Sequence, residues 1–174
     1  MSTSSVPGVD SQDDEVKLVV DLVRLSRLTL LYADAGLDKS AVLRSAVLPL
    51  FEDDASRARK EIAILFDTWD NEPLAGLIAQ LNHVAAASIG DGHRMPASTD
   101  PSLAGVLKSW EQEFGVSFVV ILDRFEQHLS ASDHAPAKNE LEAQLAAAVN
   151  DRTLHTHFLV ALNEGAAPAL RRLR

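Results

Sequence analysis

The chain has 174 residues, of which 47% are hydrophobic and 24% charged, enough to bury one core with an ordinary globular balance. Its net charge of −9 and isoelectric point near 5.0 argue against nonspecific binding to nucleic acid or to an anionic membrane. The absence of cysteine removes disulfide frameworks and thiolate metal sites, and no apolar run approaches the ~18 residues that would span a bilayer.

Residues 1–12 are Ser-rich and contain Pro7 and Gly8; too polar to pack, they read as a disordered leader before a single domain over 13–174. This start is acidic, the opposite of a signal peptide, so a soluble, cytoplasmic protein is expected. From Asp13, the residues Val16, Val19, Val20 and Val23 repeat at helical spacing, which predicts a helix to about Ser26. LTLLY, at 28–32, is the short apolar run of a strand buried on both faces. Small and acidic residues follow, then Lys39, Ser40 and the pattern AVLRSAVLPLF, predicting a helix over 40–48 that stops near Pro49.

Residues 51–60 form a charged connection, and Glu52, Asp53 and Asp54 read as a solvated run. A second strand is expected over 62–66, closed by DTWDNE. Pro73 then opens a helix whose stripe is Leu74, Leu77, Ile78 and Leu81. Residues 89–101 have loop composition, and an amphipathic helix over Leu103–Phe114 ends at Gly115. The clearest strand, SFVVIL over Ser117–Leu122, runs directly into Asp123. A short helix over 124–129, an alanine-rich helix over 137–149, a fourth strand over 156–162 and a basic helix over 165–174 complete the chain. Strands alternating with helices predict an α/β domain with a mainly parallel sheet and right-handed crossovers.

The order of strand, tight loop, Lys-Ser and helix is the layout of a phosphate-binding P-loop. Backbone N–H groups and the positive end of the helix dipole hold the phosphates, Lys neutralises them, and Ser/Thr ligates Mg²⁺. Lys39 and Ser40 occupy those places, and Gly36 sits inside the loop. Asp123, at the tip of a strand, suits the acid that holds Mg²⁺ in such a site, and Glu126 suits one that orients an attacking water. Each has a plainer reading: Lys-Ser pairs open many helices, Asp123 could cap the next helix, and Glu126 could lie on its surface. His155 and His157 share one face of a strand but lack a third ligand, and read as a surface pair. Trp69 and Trp110 read as core or half-buried residues.

The segments together carry a resemblance. LTLLYADAGLDKSAVLRSAVLPLF resembles the segment LTLLYGxSGxGKSSxLRAGVLPxL of the novel STAND NTPases. DTWDNEPLAGLIAQL, FVVILDRFEQHL and FLVALNEGAAPALRRLR are similar to that family's xxWxxxPLxxLxxxL, LLILDQFEEyF and FLxSLREDxLAxLxRF, in the same order. The resemblance implies a P-loop NTPase-like three-layer α/β/α core, ATP and Mg²⁺ as cofactors, and ATP-dependent switching within multidomain signalling or defence proteins. It implies that Gly36, Asp38, Lys39 and Ser40 line the nucleotide (Walker A), that Ser40 and Asp123 (Walker B) hold the metal, and that Glu126 is the catalytic acid.

The chain departs from that pattern at Ala33 and Asp38, where glycines are expected, and at Asn163, where a phosphate-sensing Arg is expected. It also stops at Arg174, before the C-terminal helical lid. Two expectations follow. One is a degenerate NTPase core with ATP binding weak or lost. The other is an inactive pseudo-NTPase serving as a protein-interaction module, with protein partners or self-association and without nucleic-acid or membrane partners.

Overall fold

A computed structural model describes residues 9–33, 38–53, 58, 60–90, 94–130, 136–163 and 165–166. Four parallel strands form one sheet: β1 (Leu28–Ala33), β2 (Glu61–Phe66), β3 (Ser117–Leu122) and β4 (His157–Asn163), in the spatial order β1-β4-β3-β2. β2, β3 and β4 are nearly continuous apolar runs because both faces are covered, whereas β1, expected to be buried on both faces, lies at the sheet edge and none of residues 28–32 is buried. On β3, Phe118, Val120 and Leu122 enter one core while Val119 and Ile121 enter the other.

The first face carries α3 (Pro73–Ile89), α4 (Leu103–Phe114) and α6 (Pro136–Asn150), through Leu77, Leu81, Leu107, Trp110 and Leu141. The second carries α1 (Val9–Leu25), through Val16, Val20 and Val23, and the helix α2 (39–51) that follows β1, through Leu43, Val47 and Phe51. A short helix, α5 (Phe125–Ser130), leaves β3 toward the first face. The result is the predicted three-layer α/β/α core. Each large side chain buried in it contributes about 1.5–3 kcal/mol.

Several boundaries differ from the sequence reading, each for a local reason. α1 begins at Val9 rather than Asp13, because the acidic DSQDDE stretch suits the positive end of a helix whether or not it packs; residues 1–8 of the predicted leader lie outside the described residues. α2 does not stop at Pro49. It runs as α over Lys39–Val42, as a π segment over Leu43–Val47 and as α again over Leu48–Phe51. In the wide π turn the Leu48 N–H reaches back to Leu43 O, and Pro49 falls at the opening of the last segment, where its missing N–H costs least. α5 starts at Phe125 because Arg124 has φ of 53°, outside the right-handed helical region. The basic helix predicted over 165–174 lies outside the described residues except for 165–166.

The ends of α4 follow the sequence signals. Ser102 Oγ accepts from Gly105 N at 3.0 Å as N-cap, and Gly115 closes the helix with φ of 65°. Buried Glu111 on α4 then anchors the approach to β4, accepting from His155 N and from Thr156 Oγ1, both at 2.8 Å.

β1 is an edge strand. Leu28, Leu30 and Tyr32 keep 41%, 39% and 39% of their surface exposed, beside exposed Leu18, Leu22 and Leu25 of α1. Among the described residues no helix is long and apolar enough to cross a membrane.

His128 on α5 is buried between Trp69 and Phe125, with Glu142 Oε1 3.5 Å from Nε2. Burial, helped by the Lys138 charge, lowers its pKa from 6.5 to about 4. Above pH 6.5 the ring is neutral in both folded and unfolded chains; between 6.5 and about 4 only the unfolded chain takes up the proton. Stability is therefore lost as pH falls through that window, by about 3 kcal/mol in full. Urea unfolding at pH 7 and pH 4.5 is expected to show a smaller drop for His128→Leu than for the natural chain, with a difference of about 2 kcal/mol.

Candidate functional site

The helices leaving β1 and β3 diverge to opposite faces of the sheet, which opens a crevice at the C-terminal ends of the strands. Register brings Ala33 beside Asn163 and Leu122 beside Val160, so the loops after β1, β3 and β4 meet there. Residues 34–37, including Gly36, lie outside the described residues, as does the Ala33 side chain.

Two polar chains cross the crevice. In the first, Lys39 at the start of α2 donates from Nζ to Asn163 Oδ1 at 2.7 Å, and Asn163 Nδ2 donates to Glu126 Oε1 at 2.9 Å. Glu126 is thus turned toward the strand ends rather than out to solvent, and among the described residues its buried Oε2 has no hydrogen-bond partner. In the second, Arg124 Nε donates to Ser40 Oγ at 3.3 Å and Nη2 lies 3.4 Å from Asp67 Oδ2. The same Asp67 oxygen also receives Arg44 from the π segment of α2.

Asp123 lies beside that second chain. It is 1% exposed, with its backbone fixed by the bond from its N–H to Phe66 O and by the Trp69 Nε1 donor on its carbonyl, both at 2.8 Å. Among the described residues its carboxylate oxygens accept no hydrogen bond, and Arg124 Nε is 3.8 Å from Oδ2. The side chain therefore does not cap α5. A buried carboxylate with unfilled acceptor positions is costly, and points to a role beyond packing. Asp38, by contrast, does cap a helix. Its exposed carboxylate accepts from Ala41 N at 3.0 Å, directed at its own helix end.

Lys39, Ser40, Asp123 and Glu126, chosen from the sequence, thus converge on one crevice. Sequence reasoning missed Asp67, Arg44 and Arg124. Asp67 directly follows the second apolar run and Arg124 directly follows Asp123; strand tips of a parallel sheet were the signal available for both.

A magnesium ion wants oxygen ligands at about 2.0–2.1 Å in an octahedron. Ser40 Oγ and the orphaned Asp123 carboxylate have the right chemistry. The Arg124 guanidinium, however, already lies against both and carries a full positive charge. A divalent ion joining Ser40 to Asp123 does not fit beside it in this arrangement.

Elsewhere, a cavity of about 680 Å³ lies at the opposite end of the sheet, where Lys60, Glu61 and Ile62 meet Val84, Phe114 and Val116. Asp38, Lys39, Ser40, Asp123 and Glu126 do not line it, whereas Glu52, expected to lie in a solvated charge run, does. His155 is exposed with Nδ1 3.4 Å from Glu111, and His157 Nδ1 lies 2.8 Å from Ser26 O. Among the described residues no group of three or more His, Asp or Glu side chains is placed to hold a metal.

Compared with protein families, residues 11–166 match the model described as Novel STAND NTPase 1. The chain belongs to this family. A comparison with curated proteins finds no match.

Among solved structures, this STAND domain is similar to the Aeropyrum pernix ORC2 protein in its ADPNP-ADP complexes. The TM-score is 0.67 at 16% identity, over 99% of this chain and 46% of the other. It is also similar to the Aeropyrum pernix ORC1 protein in complex with DNA (TM-score 0.59, 19% identity, 98% and 43% covered). The third is a Walker-type ATPase of Pyrococcus abyssi (TM-score 0.52, 16% identity, 97% and 48% covered). These likenesses show the fold, a P-loop NTPase-like α/β domain, and the chain spans less than half the length of each of those structures.

Proposed function

We propose that this STAND domain is a degenerate NTPase core, which binds the phosphates of ATP weakly at the start of α2 and hydrolyses them slowly or not at all. The observation that carries it is the chain Lys39–Asn163–Glu126. A phosphate-binding lysine, a strand-tip amide and a buried carboxylate share one crevice at the positive end of α2. Lys39 and the α2 backbone N–H groups would contact phosphate, with Gly36 in the preceding loop and Ser40 beside them. Asp38 lines the same place but is turned to cap its own helix.

Turnover asks for more. Glu126 would orient the attacking water, yet one of its oxygens is engaged by Asn163. Asn163 is neutral, so it supplies no positive charge to the phosphoryl group in transit. Asp123 is the acid of the Walker B position, and its field would raise the cost of phosphate binding except for the neighbouring Arg124. Weak binding with little hydrolysis is the expected outcome. The ligand is a nucleotide available in the cytoplasm, and signalling would pass to it through parts of a larger protein.

A second reading has its own support. The exposed edge of β1 with Leu28, Leu30 and Tyr32, flanked by Leu18 and Leu22, suits a protein partner or a second copy of the chain. On that reading the fold is a pseudo-NTPase interaction module. Nucleic acid is not among the expected partners: the net charge of −9 opposes phosphate-backbone contacts, and the DNA-bound neighbour shares only the fold.

Calorimetric titration with ATP separates the two. The nucleotide reading expects millimolar or tighter binding by the natural chain and a loss of about tenfold or more for Lys39→Ala, the effect of one charge-assisted contact. Equal heats for both chains would exclude it.

A further inference from the structure

We propose that Arg124 is a built-in cation standing where the metal of such a site would be, so that the domain binds a nucleoside polyphosphate without magnesium. The ligand rests on the nucleotide reading above; the placement of the cation does not.

The geometry is specific. Arg124 Nε is 3.3 Å from the Ser40 hydroxyl and 3.8 Å from Asp123 Oδ2, and Nη2 is 3.4 Å from Asp67 Oδ2. One guanidinium therefore touches the hydroxyl and the buried acid that would otherwise share a metal. It reaches them because Arg124 has φ of 53°, a conformation that a long side chain adopts only when its surroundings enforce it. That left-handed turn directly after β3 folds the side chain back across the strand ends, toward a residue 84 positions away in sequence.

The charges support the same assignment. Asp123 is buried, with both carboxylate oxygens lacking hydrogen bonds among the described residues. Asp67 is shared by Arg124 and Arg44, and among the described residues the crevice holds four carboxylates (Asp38, Asp67, Asp123 and Glu126) against three cations (Lys39, Arg44 and Arg124), of which Arg124 is the one beside buried Asp123. A planar guanidinium presents paired N–H donors suited to phosphate oxygens, and it stays protonated at any working pH. A chelator removes magnesium but cannot remove it.

The test is calorimetry with ADP and with ATP, in excess magnesium and in excess EDTA, on the natural chain, Arg124→Gln and Arg124→Lys. The natural chain is expected to bind as tightly in EDTA as in magnesium, within about twofold, and Arg124→Lys, weaker overall for want of the paired donors, is expected to show the same indifference to magnesium. Arg124→Gln is expected to need magnesium, binding about tenfold or more weaker in EDTA. Circular dichroism checks that each variant folds. A natural chain that itself needs magnesium by about tenfold would overturn the proposal while leaving nucleotide binding intact.

Manganese, titrated without nucleotide and followed by electron paramagnetic resonance, separates the two claims. Tighter manganese binding by Arg124→Gln than by the natural chain supports the assignment of Arg124 even where no nucleotide binds. Equal manganese binding by both chains removes it.

Discussion

Replacing Ala33 and Asp38 together by glycine is expected to tighten ATP binding by about thirtyfold. The reasoning starts from Asp38, whose carboxylate sits at the end of α2 where a phosphate would approach. Were it ~4 Å from a phosphate charge, repulsion would reach roughly 4 kcal/mol at an effective dielectric near 20. It is exposed and held to Ala41 N, turned along its own helix. At ~8 Å the same estimate falls to about 2 kcal/mol, or roughly thirtyfold in affinity. Glycine at position 38 gives up only a few tenths of a kcal/mol of capping. Both substitutions free the backbone to approach a phosphate. Isothermal titration of the double variant beside the natural chain measures this directly. An unchanged affinity would mean that the loop residues are not what weakens the site.

Trp110→Ala is expected to cost about 3–5 kcal/mol of folding stability, enough to unfold a marginal domain at 37 °C. Trp110 is 1% exposed in the core between the sheet and the helices on its first face, and packs on Phe114 with ring centroids 5.3 Å apart. Its Nε1 donates to Asn82 Oδ1 at 2.8 Å, tying α4 to α3. Truncation removes the largest side chain of that core and leaves the Asn82 amide without its partner. Urea unfolding followed by circular dichroism reads the loss. Trp110→Phe, which keeps most of the volume, is expected to recover about half of it.

The elements were legible where local physics decides them. SFVVIL stands out because a strand covered on both faces is apolar at nearly every position. LTLLY reads the same way although its edge position leaves Leu28, Leu30 and Tyr32 exposed. Leu103–Phe114 carries its cap signals at both ends in Ser102 and Gly115. Pro49 misled because a proline stops a helix only where its N–H is needed. The π turn before it shifts that need, with Leu43 and Val47 of the turn buried in the core. Strand order is likewise invisible in sequence, since β1 pairs with β4, the last strand in the chain.

The site was half legible. Lys39 and Ser40 follow from a helix start, Asp123 from a strand tip, and Glu126 from its distance along the next helix. What they touch did not follow. Asn163 reads in sequence as a lost arginine, yet in the fold it joins Lys39 to Glu126. Arg124 lies next to Asp123, but its contact with Ser40 depends on a left-handed backbone turn and on β1 and β3 flanking the same strand, β4. Neither condition is written in the residues around it.

The most direct measurement is a titration of isotopically labelled protein with ATP, followed amide by amide by nuclear magnetic resonance. A phosphate held at the start of α2 predicts saturable shifts in the amides of Lys39, Ser40 and Ala41, with smaller ones at Arg124 and Asn163 and none around the distant cavity near Lys60. An absence of shifts at millimolar ATP, or shifts gathered around Lys60 and Val84 instead, would contradict it.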